Sequence, residues 1–464
     1  MRPWIKKTLL AVLVFGLCWG GAIWYWRATN RMPSTDDLVL TMLLLPLALL
    51  LVIWLGAKLF ALIAAEPAAA AAASSQPADA AQPPPAPEAP PLAIVASALR
   101  APHVASADEL SGAIADNKAR ADLDPELVDD DGFPVMTARS ADADDTSSHK
   151  EITEWFAANG MASLQLDAEQ WRALTMGSAV AADLAAQAVG ELLPADGVAP
   201  MLQLMPILPG AWQLEQRRAA GLWLREVTTQ AGWPAAQISL AAELPGDARG
   251  ASPLAVLGRL AHHAATGDAA VVAIIVACGS HVGEESINQW AGNASLFTSS
   301  KPQGLIPGEG AAGLLLADAR QAHAIEGMPV ILLHTVDEAR RHNSADETRR
   351  ADADLLGTLT EKVLVRAAAQ AEQVAMIVAD TGHRTSRVLE LLGLASAALP
   401  QLDDEADVLR LGAGCGTCGA VPFMTALAMA RHHALERNAP VLCISNEDAY
   451  RRSAALVRPA VSLS

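Results

Sequence analysis

Gly412-Ala-Gly-Cys-Gly-Thr-Cys-Gly419 is followed by AVPFMTALAMARHHALERNAP and then by VLCIS, ending at Ser445. The stretch reads as a turn of small residues, an Ala-rich helix closing on paired histidines, and a buried apolar strand. The same order of parts occurs earlier in the chain. There Gly246-Asp-Ala-Arg-Gly-Ala-Ser-Pro253 leads into LAVLGRLAHHAATGDAA and VVAIIVAC, ending at Cys278. The pairs His262-His263 and His432-His433 lie 170 residues apart. A repeat of that period, built from helix and strand, predicts a duplicated, layered α/β fold rather than a solenoid. Chemistry, if there is any, belongs at the small-residue turn feeding each helix.

Strands alternating with helices surround the two units. A short strand is expected at LAIVAS from Leu92, and helical patterns at Glu151 to Asn159 and Ala168 to Val189. Next come the strand-like MLQLMPIL, a helix from Gln213 to Ala231 and a strand from Gln237 to Ala242. Further apolar runs are Gly313 to Ala317, Val330 to Thr335 and Val374 to Ala379. This alternation predicts a mostly parallel sheet architecture. The acidic stretch from Ala121 to Lys150 (DPELVDDDGF, SADADDTSS) reads as a surface excursion.

The amino-terminal 65 residues differ in kind. Two uncharged stretches, Thr8 to Trp26 and Leu38 to Ala57, are 19 and 20 residues long, enough to cross a bilayer as helices. Trp4, Trp24, Trp26 and Trp54 sit at or near their ends as interfacial anchors do. A two-helix transmembrane hairpin is therefore expected over residues 1–65. Arg2, Lys6, Lys7 and Lys58 on one side put both ends in the cytoplasm. Residues 66–91 are an Ala/Pro-rich linker. The structured domain then spans 92–464, with halves at about 92–320 and 321–464. The chain carries 33 basic and 51 acidic residues, net −18, and most of the excess lies beyond the hairpin. Such a globule does not grip nucleic acid through general charge, so its partner is a protein or a small molecule.

Several motifs resemble the thiolase and β-ketoacyl synthase superfamily. Asp247-Ala-Arg-Gly-Ala-Ser-Pro-Leu254, with its helix and the strand to Cys278, resembles the family's nucleophile elbow. Ile306-Pro-Gly-Glu-Gly-Ala-Ala-Gly-Leu314 resembles its Gly-Glu-Gly-Ala strand opening. Val378-Ala-Asp-Thr-Gly382 resembles the strand end carrying the first catalytic histidine, and Gly414-Cys-Gly-Thr-Cys-Gly-Ala420 the turn carrying the second. The resemblance implies a five-layered α-β-α-β-α fold made of two similar halves, each with a buried helix between the sheets. It also implies a thiolate assisted by two imidazoles. Matched without gaps, those positions hold Gly250, Thr381 and Gly416. None of the three can do the family's chemistry, so the expectation is a pseudoenzyme with no catalytic, cofactor or metal residues, its scaffold kept for binding. His383, two residues past the first histidine position, and Cys415 are the side chains through which a displaced chemistry would have to run.

Other readings compete at the same turn. Cys415-Gly-Thr-Cys418 is a CxxC at the start of a helix, where the dipole favours a thiolate. Gly414-x-Gly416-x-x-Gly419 matches a dinucleotide fingerprint, but too little chain follows to complete a nucleotide-binding half. The paired histidines read as helix-end residues complementing the dipole rather than as metal ligands.

The hairpin LVLTMLLLPLALLLVIWLGAKL together with AIVASALRAPHVASADEL resembles the membrane-anchored type VI secretion lipase-adapter family. That resemblance implies a bacterial inner-membrane protein that recruits a phospholipase effector. A homodimer is compatible with the fold. The competing expectation is an acyl-thioester transferase or condensing enzyme with a relocated nucleophile.

Overall fold

The computed structural model describes residues 15, 19–20, 45, 90–194, 198–241, 252–267, 270–318, 330–336, 338–347 and 352–460. The chain divides into two units, Met1–Ala86 and Pro87–Ser464. The expected spans at 8–26 and 38–57, and the linker, lie almost wholly outside the described residues, as does Gly250. Among the described residues no helix is long and apolar enough to cross a membrane.

In the larger unit the first half runs β1 (Leu92–Arg100), α1 (Ala107–Ala115), the hairpin β2 (Asp122–Val128) and β3 (Pro134–Thr137), α2 (Thr146–Ala158) and α3 (Ala168–Leu192). It continues through β4 (Leu202–Ile207), α4 (Leu214–Gln230), β5 (Ile238–Leu240), α5 (Pro253–Thr266), β6 (Val272–Ser280), α6 (Glu284–Gly292) and β7 (Glu309–Asp318). The second half runs β8 (Ile331–Thr335), β9 (Ala339–Arg340), α7 (Asp354–Arg366), β10 (Met376–Ala379) and α8 (Thr385–Ala398). It ends with β11 (Val408–Arg410), α9 (Val421–Arg437), β12 (Val441–Ser445) and β13 (Arg451–Pro459).

The strand order is β5-β4-β6-β7-β1 in the first half and β11-β10-β12-β13-β8 in the second. Counting only these strands, each half follows the order third, second, fourth, fifth, first. The third, second and fourth strands of each half run parallel, whereas the fifth is antiparallel to both neighbours, so the sheet is mixed and not mostly parallel as expected. Duplication is thus a property of the topology as well as of the sequence.

Alternation along the strands sorts side chains into layers. Met205, Ile207, Ile275 and Leu314 from the first half share one core with Met376, Val378, Cys443 and Val457 from the second, around Phe423, Met424 and Leu427 of α9. The opposite strand face of the first half, including Leu204 and Ile274, packs on Leu174, Met176 and Trp223 of α3 and α4. That of the second half, including Ile377 and Leu442, packs on Val363 and Leu391 of α7 and α8. The result is helices, sheet, helices, sheet, helices.

The two repeat helices differ. α9 is apolar on every side through Ala430, as a helix walled by both sheets must be. α5 is amphipathic, and Ala255, Arg259, His262 and Thr266 are exposed. Arg259 and His262 fall on one helical stripe, so that face stays wet instead of being enclosed between sheets. The acidic stretch is largely exposed, as a surface excursion should be, with Asp124 the exception among its carboxylates. It folds into the β2–β3 hairpin, and Asp124 is buried there, accepting from the Thr137 hydroxyl at 2.6 Å and from Arg139.

The halves join where β1 pairs with β8, through Leu92, Ala93 and Ile94 only. Just beyond, β1 shifts register against β7 between Ile94 and Ala96. Arg431 of α9 reaches this point, donating to the Val95 carbonyl at 2.6 Å and to Ile94 at 3.4 Å. The guanidinium supplies bonds that the ladder no longer makes. Arg431→Met is expected to cost about 1–3 kcal/mol in urea unfolding by orphaning these carbonyls. Arg259→Met on the exposed stripe of α5 should stay within about 0.5 kcal/mol of the parent.

Candidate functional site

Five backbone segments converge at one end of the central layer. They are the end of β6, the approach to β7, the end of β10, the turn before α9 and the end of β12. Leu411 donates to the Ala379 carbonyl at 2.8 Å, which ties the turn to β10. Thr417 donates to Ile306 at 2.7 Å and Gly308 to Thr417 at 3.2 Å, which ties it to the approach to β7. The motifs singled out in the second half of the sequence therefore meet. A Cβ added at Gly308 would lie 2.0 Å from the Cys415 carbonyl, and one at Gly416 would lie 2.9 Å from the Gly308 Cα. Gly416 also has φ +64°, a left-handed conformation that disfavours other residues.

Thr381 is fully buried and donates to Asn446 Oδ1 at 2.6 Å. Its neighbour Asp380 accepts from Ser445 Oγ and from the Asn446 and Glu447 amides. Burial pushes the Asp380 carboxyl up to about 6, opposed by those hydrogen bonds. Glu447 receives the Gly382 amide at 2.8 Å and Arg384 Nε at 2.9 Å, and Arg384 also reaches Asp346. Thr381 thus serves a polar network that fastens β10 to β12. His383 packs edge-on to Phe297, ring centres 5.2 Å apart, beside the backbone of Pro302 and Gly304, and burial holds its pKa down. Among the described residues no hydrogen bond joins an imidazole to a thiol.

The thiols sit in an environment that disfavours the thiolate. Cys278, Cys415 and Cys418 are buried, and desolvation raises the first two to about 12 and Cys418 well above its ordinary value. Thiolate at neutral pH is then roughly one part in 10^5. A helix-start thiolate is disfavoured here, and the CxxC packs as small residues do. Cys415 closes the single helical turn Gly412–Cys415 and Cys418 precedes α9, both in a dry interior where desolvation exceeds any help from the dipole. The dinucleotide fingerprint is filled by protein at two of its glycines. A Cβ at Gly414 would lie 2.6 Å from the Ala119 carbonyl and one at Gly416 2.9 Å from the Gly308 Cα, so these two glycines admit neighbouring backbone rather than a pyrophosphate, while Gly419 has no atom facing it within 4 Å.

Two features escaped the sequence reading. His103, just after β1, hydrogen-bonds the Gly414 backbone, while partial burial lowers its pKa. Glu309, completely buried, is clamped by Arg172 through Nε at 2.8 Å and NH2 at 2.6 Å, and also accepts from the Ser140 amide and Ser280 hydroxyl. Of these, Arg172 offered no motif, and only its place on the long apolar helix α3 hinted at a buried role.

No family model matches the chain, and no curated protein matches it. Solved structures do. The ishigamide ketosynthase/chain length factor aligns with TM-score 0.51 at 13% identity, covering 80% of this chain and 100% of that one. A β-ketoacyl synthase from Burkholderia phymatum gives the same values. The module 1 ketosynthase of the bacillaene synthase from Bacillus amyloliquefaciens aligns with TM-score 0.53 at 13% identity, covering 81% and 74%. The fold is ketosynthase-like, of the thiolase type. At this identity the likeness concerns architecture alone, and the convergence just described is where that architecture brings its strand ends together.

Glu309→Gln is expected to lower stability by about 1–3 kcal/mol, because it removes the buried one of the two carboxylates that Arg172 pairs with and leaves only the largely exposed Asp144. Chemical unfolding of the variant measures this. Asp380 gives a pH signature. Its folded pKa lies above the ordinary 3.8, so the folded protein keeps a proton that the unfolded chain has already released. Its contribution is intact below about pH 4 and is lost as pH rises through about 6. Relative to Asp380→Asn, the parent should lose on the order of 2–3 kcal/mol between pH 4 and pH 7 in paired unfolding curves.

Proposed function

We propose that this chain is a non-enzymatic adapter. In this reading a ketosynthase-like domain, held at the bacterial inner membrane by the two apolar stretches near its amino terminus, binds a protein client on the cytoplasmic side. The client class is a phospholipase effector of type VI secretion. The observation that carries the reading is the filling of the site. Thr381 is bonded to Asn446, Gly416 is pressed on Gly308, and the nearby thiols are buried with raised pKa values. A condensing enzyme needs an open nucleophile and positioned proton donors. The packing at Thr381 and Gly416 supports the adapter reading at two of the three family positions.

A second reading is favoured by the ketosynthases among the matching structures: acyl transfer from a thioester, with Cys415 as a relocated nucleophile. One experiment separates the two. After incubation with acyl-CoA thioesters, the purified full chain should show no acyl mass by intact-protein mass spectrometry. Affinity isolation from the native cell should recover a lipase in stoichiometric amount. Stoichiometric acylation of a cysteine, or recovery of fatty-acid-synthesis proteins without a lipase, contradicts the adapter reading.

A further inference from the structure

The two repeat helices end alike but not identically: HHAAT at His262–Thr266 and HHALE at His432–Glu436. In the second copy the carboxylate falls four residues after the first histidine and three after the second, so one helical turn brings all three together. His433 Nδ1 lies 3.1 Å and His432 Nε2 3.9 Å from the same oxygen, Glu436 Oε2. All three candidate ligand atoms lie within 4.8 Å of one another.

We propose that His432, His433 and Glu436 form a site for one divalent transition-metal cation of the zinc class. Zinc bonds of about 2.0–2.2 Å to nitrogen and oxygen set tetrahedral edges of about 3.3–3.5 Å. The observed separations need only a small adjustment. His433 is buried and fixed, whereas His432 and Glu436 are partly or largely exposed and free to close on an ion. Water completes the coordination from the solvent side. His433 meets the ion through Nδ1, so its single ring proton sits on Nε2 in the bound state.

Three further observations favour a cation here. The site lies in the last turns of α9, where the helix dipole is negative. The two flanking cations are engaged elsewhere, Arg431 on the Ile94 and Val95 carbonyls and Arg437 on Asp407 at 2.7 Å and the Ala375 carbonyl. His433 is nearly buried, so one ligand is already ordered before an ion arrives. The first copy is an internal contrast. Thr266 stands where Glu436 does, its hydroxyl bonds the His262 carbonyl at 3.0 Å, and no carboxylate closes the set.

The test uses the full-length chain without a histidine tag, in detergent, titrated with Zn2+ by calorimetry and with Co2+ by visible absorption. One equivalent should bind, and His432→Ala and Glu436→Gln should each weaken binding at least about tenfold. His262→Ala should leave it unchanged. Thermal melts of the metal-free variants check folding, which these exposed positions should not disturb. Absence of saturable binding, binding undiminished in the two variants, or an equal loss in His262→Ala overturns the proposal.

Discussion

The enclosure of α9 between two sheets is the constraint from which the rest follows. A helix walled on all sides can only be apolar, and from Val421 to Ala430 it is. The turn that feeds it must then pass between the end of β10 and the approach to β7, where backbone meets backbone. Gly308 and Gly416 permit that approach, and the hydrogen bonds from Thr417 and Gly308 lock it. The same crowding completes the core at that turn.

Charge inside the domain serves this geometry. Arg172 and Glu309 fasten α3 to the start of β7, while Arg431 closes the gap where β1 parts from β8. Asp380, Asn446 and Glu447 hold the ends of β10 and β12 at a fixed spacing. Each is a polar group buried among strand ends, and each has a partner from a different element. Such groups contribute little net stability against an apolar alternative, but removing one partner is costly. They fix which ends meet.

Much of the architecture was legible because periodicity and repetition are local signals. The two turn-helix-strand units, the strand at Met376–Ala379 and the Gly-Glu-Gly-Ala opening of β7 all stand out in the sequence. What stayed hidden depends on distance along the chain. Glu309 and Arg172 are 137 residues apart, and nothing in either segment names the other. His103 meets Gly414 only because β1 ends beside the turn. The open face of α5 was written in Arg259 and His262, yet the resemblance between the two units drew attention to what they share. The thiols show how one motif carries two readings. CxxC before a helix reads as activated, but burial decides the pKa, and burial is a tertiary property.

The most direct measurement is the stability of Gly416→Ala. If the turn is as closed as the backbone contacts indicate, a single methyl must displace Gly308 and also strain a left-handed backbone. The variant should then lose at least about 2 kcal/mol in chemical unfolding. A variant as stable as the parent would mean that this position has space for a side chain, and the account of a ketosynthase-like scaffold closed at its catalytic turn would be wrong.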